Sequence, residues 1–352
     1  MKGIIHERPG VYSSYDASAA VRGGRAARTV GVAAKSVSGT VNAAVRLTSY
    51  EMGLSAFGED AEGTPGMSAI LKLLFLGGAS TVVAVKVDED DYAAAFRVLQ
   101  TVENLQVIVC DSGELTVQQA LRVSLESASA ARRERIAVVG MSDASTADLT
   151  ERAKALNSER MVLVGPDGLD GAGNPVSGVF AAAAVAAAVA MTRDPAIPLN
   201  GTPLNGLTGV SVDYTDSEID VLVRGGVTPL EAVGGVVSPV RGITTRTTTG
   251  GADDTTWREL TTILIADDVI PAIRQSLRSR FSQTKNTVQT RGAIRSQTIV
   301  ELENKLRAEI IDSYSDVAVS ASEEDPTICL VEFSFAVAHG LNQIYLTAHI
   351  TI

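Results

Sequence analysis

The chain has 352 residues, a formal net charge of −11, 45% hydrophobic residues and 20% charged residues. This length allows two or three domains, and this balance of residues excludes wholesale disorder. The acidic charge disfavours binding to nucleic-acid phosphates and to anionic membranes, and it favours a basic protein partner. Aromatic residues make up only 4%, and the abundance of small and β-branched residues is typical of sheets and tightly packed helices.

Neither the cysteines nor the termini indicate export or membrane insertion. Cys110 and Cys329 lie in apolar, strand-like runs outside any CxxC motif, and we expect two buried, reduced thiols. The N-terminus has no apolar signal-peptide core. The most apolar tract, residues 180–191, is shorter than the roughly 20 residues that span a bilayer, so we expect a buried, Ala-rich helix.

Residues 1–29 are predicted to form an N-terminal linking arm. Pro9-Gly10 marks a turn, and Val11-Tyr12 is a short extended piece. Small residues and three arginines follow, up to residue 28. A segment of this composition cannot build a hydrophobic core of its own, so we expect it either to be flexible or to dock onto another surface.

Residues 30–192 alternate between short apolar runs and longer amphipathic segments. The predicted strands are residues 29–34, 81–87, 105–110, 136–141 and 161–166. The predicted helices are residues 68–76, 88–102, 115–133, 147–157 and 179–192, and residues 47–57 read as a loop or a short helix. This alternation predicts an α/β domain with a mostly parallel sheet that is covered by helices.

A second domain of α+β type is predicted over residues 193–342. Pro195 ends the preceding helix, because proline disfavours helical geometry in the residue before it. The expected elements, in chain order, are a strand at 210–212, an acid-capped helix at 216–224, a turn and strand at 225–237, a strand pair at 236–249, a strand at 258–270 leading into a helix at 270–281, a linker at 286–295, an amphipathic helix at 297–312, and strands at 316–321 and 327–337. A last strand, residues 343–352, ends the chain.

The alternating pattern raises the possibility of a nucleotide-binding enzyme, but the required loop is missing. Neither GxGxxG nor GxxxxGK[ST] occurs, and Gly77-Gly78 follows a helix instead of a strand. The Gly/Asp run at 165–173, with Asp167 and Asp170, does follow a strand and could bind a cation or a phosphate. A plain turn that leads into a helix is the favoured interpretation.

The remaining polar residues do not cluster in a way that indicates chemistry. Solvated loop and helix-cap roles explain Asp253-Asp254 and Asp267-Asp268, respectively. The three histidines share no metal-ligand spacing with Cys, Asp or Glu. The basic clusters lack interleaved aromatic residues, so no nucleic-acid binding is predicted. We therefore predict no catalytic, cofactor-binding or metal site.

The two chain ends carry a stronger signal. An arm without a core and a strand at the opposite end can each add to the sheet edge of another chain, which is β-augmentation. The candidate linking residues are Pro9, Gly10, Val11 and Tyr12, together with Gln343, Ile344, Tyr345, Leu346, Thr347, Ala348, His349 and Ile350. From the residues alone, pairing of both ends within their own chain is equally compatible with the pattern.

Several short motifs occur in an order that resembles the contractile tail sheath proteins of phages, phage-tail-like bacteriocins and related injection machines. The motifs are Pro9-Gly10-Val11-Tyr12, Arg193-Asp194-Pro195, PLNG at 198–201, GGVTPLEAVGGVV at 225–237, RGITTRT at 241–247, and Trp257-Arg258-Glu259-Leu260. The RGITTRT run departs from the Trp-Gly-Ala-Arg-Thr type of sequence in larger phage sheaths, which indicates a compact lineage.

The resemblance implies a structural protein without catalysis. Its subunits would form six-fold rings that stack helically around an inner tube and contract to drive the tube through a target envelope. The implied partners are further copies of the chain, the tube, the baseplate and the tail terminator. The implied location is a virion or a tail-like particle, assembled in the bacterial cytoplasm. The alternatives are an α/β nucleotide-binding protein or enzyme, and a tube or baseplate subunit.

One helix of the second domain is expected to face the tube or a neighbouring subunit. Residues 297–312 and residues 270–281 are both candidates, and the sequence does not choose between them. The candidate contact residues on these helices are Arg274, Arg278, Arg280, Glu301, Lys305 and Glu309.

Overall fold

A computed structural model describes residues 28–61, 63–142 and 144–342. The predicted linking residues 9–12 and 343–350 lie outside these described residues. Within the described part of the chain, no helix is long and apolar enough to cross a membrane.

Fourteen strands are present in the described residues. They are β1 (Thr29–Ala34), β2 (Ala44–Leu47), β3 (Val82–Lys86), β4 (Leu105–Cys110), β5 (Ile136–Gly140), β6 (Met161–Gly165), β7 (Gly168–Leu169), β8 (Gly209–Val210), β9 (Val227–Val233), β10 (Val236–Pro239), β11 (Thr248–Thr249), β12 (Ala252–Asp253), β13 (Ile311–Ala321) and β14 (Cys329–Val337).

Nine helices accompany these strands in the same described ranges. They are α1 (Tyr50–Phe57), α2 (Met67–Leu76), α3 (Tyr92–Thr101), α4 (Leu115–Ala130), α5 (Thr146–Leu156), α6 (Gly178–Met191), α7 (Asp216–Arg224), α8 (Leu260–Phe281) and α9 (Val288–Arg307).

The main sheet has eight strands in the order β10-β9-β6-β5-β4-β1-β3-β2. Neighbouring strands from β9 to β3 run parallel, while the edge strands β2 and β10 pair antiparallel to the rest. Parallel neighbours need long crossover connections, and the intervening helices supply them. The predicted mostly parallel sheet with helical connections is therefore confirmed.

The sheet continues beyond residue 192. Leu163 of β6 is in register with Val227 of β9, and β9 turns back through Gly234-Gly235 into β10. The α/β unit thus contains residues from both sides of the predicted domain boundary. We refer below to the main sheet with its helices α1–α7 as the α/β unit.

The Ala-rich helix α6 is buried along almost its entire length against the sheet. Its small side chains let backbone approach backbone, most closely where β5 ends. A Cβ atom at Gly140 would lie 2.0 Å from the carbonyl oxygen of Gly178, the first residue of α6. This contact leaves no space for a side chain.

Replacing Gly140 with alanine is expected to lower the free energy of unfolding by about 3 kcal/mol, because the new methyl group collides with backbone that cannot rotate away. Urea unfolding would measure the loss. Gly171→Ala is the matched control, since nothing lies within 4 Å of a Cβ at that position. Similar stability losses in the two variants would contradict this account of the contact.

The structure corrects two predictions in the C-terminal third of the chain. Residues 258–270 do not form a strand, because α8 begins at Leu260 and buries residues at helical spacing. Residues 286–295 are not a linker, because α9 begins at Val288. The Thr287 side chain accepts a hydrogen bond from the Thr290 N–H and caps this helix, which buries little surface in its first turns.

Smaller differences concern strand pairing and the cysteines. Residues 236–249 do not form a strand pair with each other as predicted. β10, at their start, pairs with β9, and β11, at their end, pairs with β12. β13 starts at Ile311, inside the range predicted as the end of a helix.

Both cysteines are free. Cys110 is buried, which raises the pKa of its thiol to about 12, whereas Cys329 is only half-buried.

Candidate assembly surfaces

β13 and β14 form a two-stranded antiparallel sheet that is separate from the main sheet. Side chains along β14 alternate between half-buried and exposed, and Phe333 and Phe335 stack on the half-buried side. Within residues 28–342, as far as they are described, neither strand pairs with a third strand. Among the described residues, both outer edges of this hairpin therefore present backbone groups that another strand can use.

Helices α8 and α9 support the hairpin from its half-buried side. The shared core contains Ile265, Val269, Ile273, Leu302, Ile310 and Ile311. The first turns of α8 instead bury Leu260, Ile263 and Leu264 in the core of the α/β unit. One helix therefore belongs to two hydrophobic cores. We call α8, α9, β13 and β14 the C-terminal module.

Two ion pairs join the C-terminal module to the N-terminal edge of the main sheet. Arg160, just before β6, contacts both carboxylate oxygens of Asp267 on α8, at 2.7 and 3.0 Å. Arg274, also on α8, donates to Glu134 at 2.7 Å. The side chains of Arg160 and Asp267 are only 12% and 15% exposed, so this pair is largely shielded from water. We call these two pairs the clamp.

The pKa values of the two clamp carboxylates, Asp267 and Glu134, are shifted in opposite directions. Burial raises the pKa of Asp267, and the hydrogen bond and charge of Arg160 only partly offset that effect. Burial also acts to raise the pKa of Glu134, but the hydrogen bond from Arg274, aided by its charge, holds that pKa below its usual value. Arg160 therefore compensates for only part of the cost of burying the Asp267 charge.

The structure also corrects the expected role of Asp267-Asp268. Neither residue caps a helix in solvent, because both lie inside α8 and form ion pairs. Lys305 of α9, which is buried, donates to the carboxylate of Asp268. Asp254 does have a loop role: hydrogen bonds from Thr249 and Thr256 lower the pKa of its carboxyl to about 2.

Of the six candidate contact residues on the helices, three make contacts inside the chain. Arg274 and Lys305 form the ion pairs described above, and Glu301 accepts hydrogen bonds from Ser276 and Gln297 at 2.7 and 2.9 Å. The other three, Arg278, Arg280 and Glu309, are exposed. The exposed arginines lie near the C-terminal end of α8.

Charge is unevenly divided in the C-terminal module. Residues 269–300 contain six Lys or Arg residues and no Asp or Glu. Residues 308–342 contain seven Asp or Glu residues and no Lys or Arg. The helix pair is therefore basic and the hairpin acidic, and Asn286 joins the two by donating to the carbonyl of Pro326 at 2.8 Å.

The first described residue contacts the end of α6, and the last contacts the segment that follows α6. Arg28 donates to the carbonyl of Val189 at 2.8 Å, at the end of α6. Asn200 donates to the side-chain oxygen of Asn342 at 2.9 Å. The two predicted linking segments therefore connect to the described body in one region.

The RGITTRT motif, residues 241–247, lies in the connection between the α/β unit and the C-terminal module, and its threonines fix that connection by hydrogen bonds. Thr244 and Thr245 are completely buried. The Thr245 hydroxyl donates to the carbonyl of Ser158 and accepts from its N–H, both at 3.0 Å. The Thr244 hydroxyl donates to the carbonyl of Trp257 at 2.6 Å, shortly before α8. These threonines satisfy backbone groups that would otherwise be buried without partners.

Thr245→Val should lower the free energy of unfolding by about 2 kcal/mol, because a side chain of the same shape would leave the buried Ser158 N–H unpaired and the Ser158 carbonyl with only the Met161 N–H, at 3.3 Å. Denaturant titration is the measurement. Thr255→Val, at an exposed position, is the control and should change stability by less than about 0.5 kcal/mol. A Thr245→Val protein as stable as this control would contradict the proposed role of the hydroxyl.

The usual ligand position of an open α/β sheet is filled by the chain itself. Strand order reverses between β1 and β4, where such folds bind ligands beyond the carboxyl ends of the strands. Here Asp111, buried after β4, accepts from the Tyr92 hydroxyl at 2.6 Å and from the Lys35 N–H at 2.8 Å. The described residues contain no group of three or more His, Cys, Asp or Glu that could hold a metal ion.

The fold and these surfaces define a structural assembly protein. The model of the phage tail sheath protein central domain matches residues 86–245, and that of the phage tail sheath C-terminal domain matches residues 252–351. The two matched segments together span most of the chain. The chain therefore belongs to the phage tail sheath protein family, as its motifs indicated.

Individual relatives agree with this assignment. The tail sheath protein of Bacillus phage SP01 is 29% identical over 252 residues, which are 70% of this chain and 43% of that protein. The chain thus spans less than half the length of this relative. The fold is shared with the sheath tail protein of Desulfitobacterium hafniense (TM-score 0.70, 10% identity, 93% of this chain and 100% of that one). It is also shared with the anti-feeding prophage helical sheath in its contracted state (TM-score 0.70, 17% identity, 98% and 99%).

Proposed function

We propose that the chain is a subunit of a contractile sheath, which polymerises into six-fold rings stacked helically around an inner tail tube. Support comes from the family match and from one observation above all, the β13–β14 hairpin with both edges open among the described residues. A two-stranded sheet is marginal alone and gains stability from added strands. This subunit performs no catalysis.

The strands that complete the hairpin come from neighbouring copies. Residues 9–12 of one subunit and residues 343–350 of another add to its two edges by backbone hydrogen bonding. The donor and acceptor surfaces differ, so each contact is heterologous. Such contacts do not stop at a dimer and can repeat from subunit to subunit. The C-terminal module forms the centre of the inner assembly domain that was predicted over residues 193–342, and residues 30–192 form most of the outer domain, whose sheet β9 and β10 complete.

The basic helix pair of the C-terminal module is the surface that faces the tube or an adjacent subunit. Arg278 and Arg280 are exposed and are available for an acidic partner, whereas Arg274 is engaged by Glu134. At its two ends the sheath contacts the baseplate and the tail terminator. The polymer is part of a virion or tail-like particle assembled in the bacterial cytoplasm.

Contraction uses two kinds of contact. The exchanged strands keep neighbours connected, while contacts between subunit bodies change from one packing to another. The extended sheath is then held kinetically until a signal from the baseplate releases it, and compaction of the rings drives the tube through the target envelope.

Negative-stain electron microscopy of the purified full-length chain tests this proposal. We expect long hollow cylinders with a helical surface lattice. A protein that stays strictly monomeric at every salt concentration, alone and when co-produced with its tube protein, would refute it.

A further inference from the structure

A crevice of about 410 Å³ opens at the C-terminal edge of the main sheet, beyond β5 and β6. Its wall is largely apolar and includes Met141, Leu149, Pro166, Pro175 and Val212. One carboxylate, that of Asp167, also lines it and is 6% exposed. This volume and this mixture of walls are typical of ligand-binding crevices.

The crevice lies at the opposite end of the strands that carry the clamp. Arg160 and Glu134 precede β6 and β5, whereas Met141 and Pro166 follow the same two strands. Each strand has five residues, so the two ends are separated by roughly 16 Å. The crevice is therefore remote from the C-terminal module and from the hairpin edges.

Carboxylates outnumber basic groups near the crevice. No Lys or Arg lines it, and Arg152, one turn beyond the lining residue Leu149 on α5, is held by hydrogen bonds to the Gly113 carbonyl and the Gln118 side chain at 2.6 and 2.9 Å. The Asp148 carboxylate accepts a hydrogen bond from the lining residue Ser145, and Asp213 follows the lining residue Val212 in the chain. Burial and then the charges of Asp167 and Glu218 raise the pKa of Tyr214, beside Asp213, to about 12. A cation is thus favoured here and an anion is disfavoured.

We propose that this crevice binds an arginine or lysine side chain presented by a basic polypeptide segment of another protein. An apolar wall suits the methylene stem of such a side chain, and the carboxylates suit its charged head. Neighbouring apolar residues of the same segment pack against the prolines and Val212. This binding site is separate from sheath assembly and does not depend on it.

Fluorescence anisotropy with the full-length chain tests the proposal. The probe is a labelled pentapeptide, Leu-Arg-Ala-Arg-Leu, and its control is the same peptide with citrulline at both arginines, which keeps the shape and removes the charge. We expect saturable binding of the arginine peptide and at least tenfold weaker binding of the citrulline peptide. Equal affinities, or no saturable binding of the arginine peptide, would overturn the proposal.

Protein variants locate the binding. Ser211→Trp and Ala144→Phe each place a large side chain in the crevice and should reduce affinity at least tenfold. Asp213→Asn should weaken binding severalfold, whereas Asp253→Asn, the same charge change at the other end of the molecule, should leave it unchanged. Thermal unfolding confirms that each variant is folded. Unchanged affinity in folded Ser211→Trp protein, or equal affinity for spermidine, would overturn the assignment to a basic polypeptide.

Discussion

Removing residues 343–352 should abolish polymer formation and leave the α/β unit folded. In the proposed sheath these residues form a strand in the sheet of a neighbouring subunit, so their loss removes one backbone link at every subunit. The core of the α/β unit is built from described residues far from this segment. Electron microscopy and sedimentation would report the loss of polymers, and circular dichroism would report an unchanged melting temperature.

A single substitution gives a sharper version of this experiment. Tyr345→Pro removes a backbone donor and disfavours strand pairing, whereas Tyr345→Val keeps both the donor and the β-propensity. We expect polymers from the valine variant and none from the proline variant. Normal cylinders from the shortened chain would show that strand exchange through the C-terminus is wrong.

Arg160→Met is expected to lower the free energy of unfolding by about 3–4 kcal/mol. The substitution leaves the shielded carboxylate of Asp267 without the guanidinium that offsets the cost of its burial, and removing one partner of a buried ion pair has this order of cost. Chemical denaturation measures the loss. The same variant should weaken attachment of the C-terminal module, which limited proteolysis would detect as earlier cleavage near α8.

Two comparisons isolate the buried charge as the cause. Arg224→Met breaks a pair with Asp220 whose side chains are 75% and 67% exposed, and it should cost less than about 1 kcal/mol. The double variant Arg160→Met with Asp267→Leu removes both charges and should recover most of the stability. If Arg160→Met and Arg224→Met cost the same, the clamp does not hold the module.

Lowering the pH is not expected to weaken both ion pairs of the clamp. The raised pKa of Asp267 means that its contribution to stability is largest below the usual value of 3.8 and is lost as pH rises through the folded-state value. The lowered pKa of Glu134 has the opposite sign, so its contribution is present above 4.5 and lost as pH falls. The two carboxylates of the clamp thus respond to pH in opposite directions.

The α/β unit could be predicted from sequence because its signals are local. Strands such as β5 and β6 are buried on both faces and appear as short, wholly apolar runs, and α7 begins with a capping box at Thr215. The Thr-Thr-Ile-Leu-Ile run of α8 gives the opposite local signal, since β-branched residues favour strands. Burial against two cores overrides that propensity, and no local pattern reveals it.

The contacts of the candidate assembly surfaces were harder to predict, because their partners are distant in sequence. Arg274 and Glu134 are 140 residues apart, and Thr245 and Ser158 are 87 apart. Sequence singled out Arg274 and the RGITTRT motif but could not assign their partners. The first turns of α9 were missed for a different reason: they are polar and exposed, so they lack the amphipathic pattern that identifies a helix.

The position of α8 in two cores has a consequence for synthesis on the ribosome. Leu260, Ile263 and Leu264 complete the core of the α/β unit, so this unit cannot close until they have left the exit tunnel. The hairpin edges are translated later, between residues 311 and 337. We therefore expect nascent chains to acquire a protease-resistant body before they expose any polymerising edge. Stalled chains whose exposed part ends at residue 250 should be digested, and those exposed through residue 285 should resist.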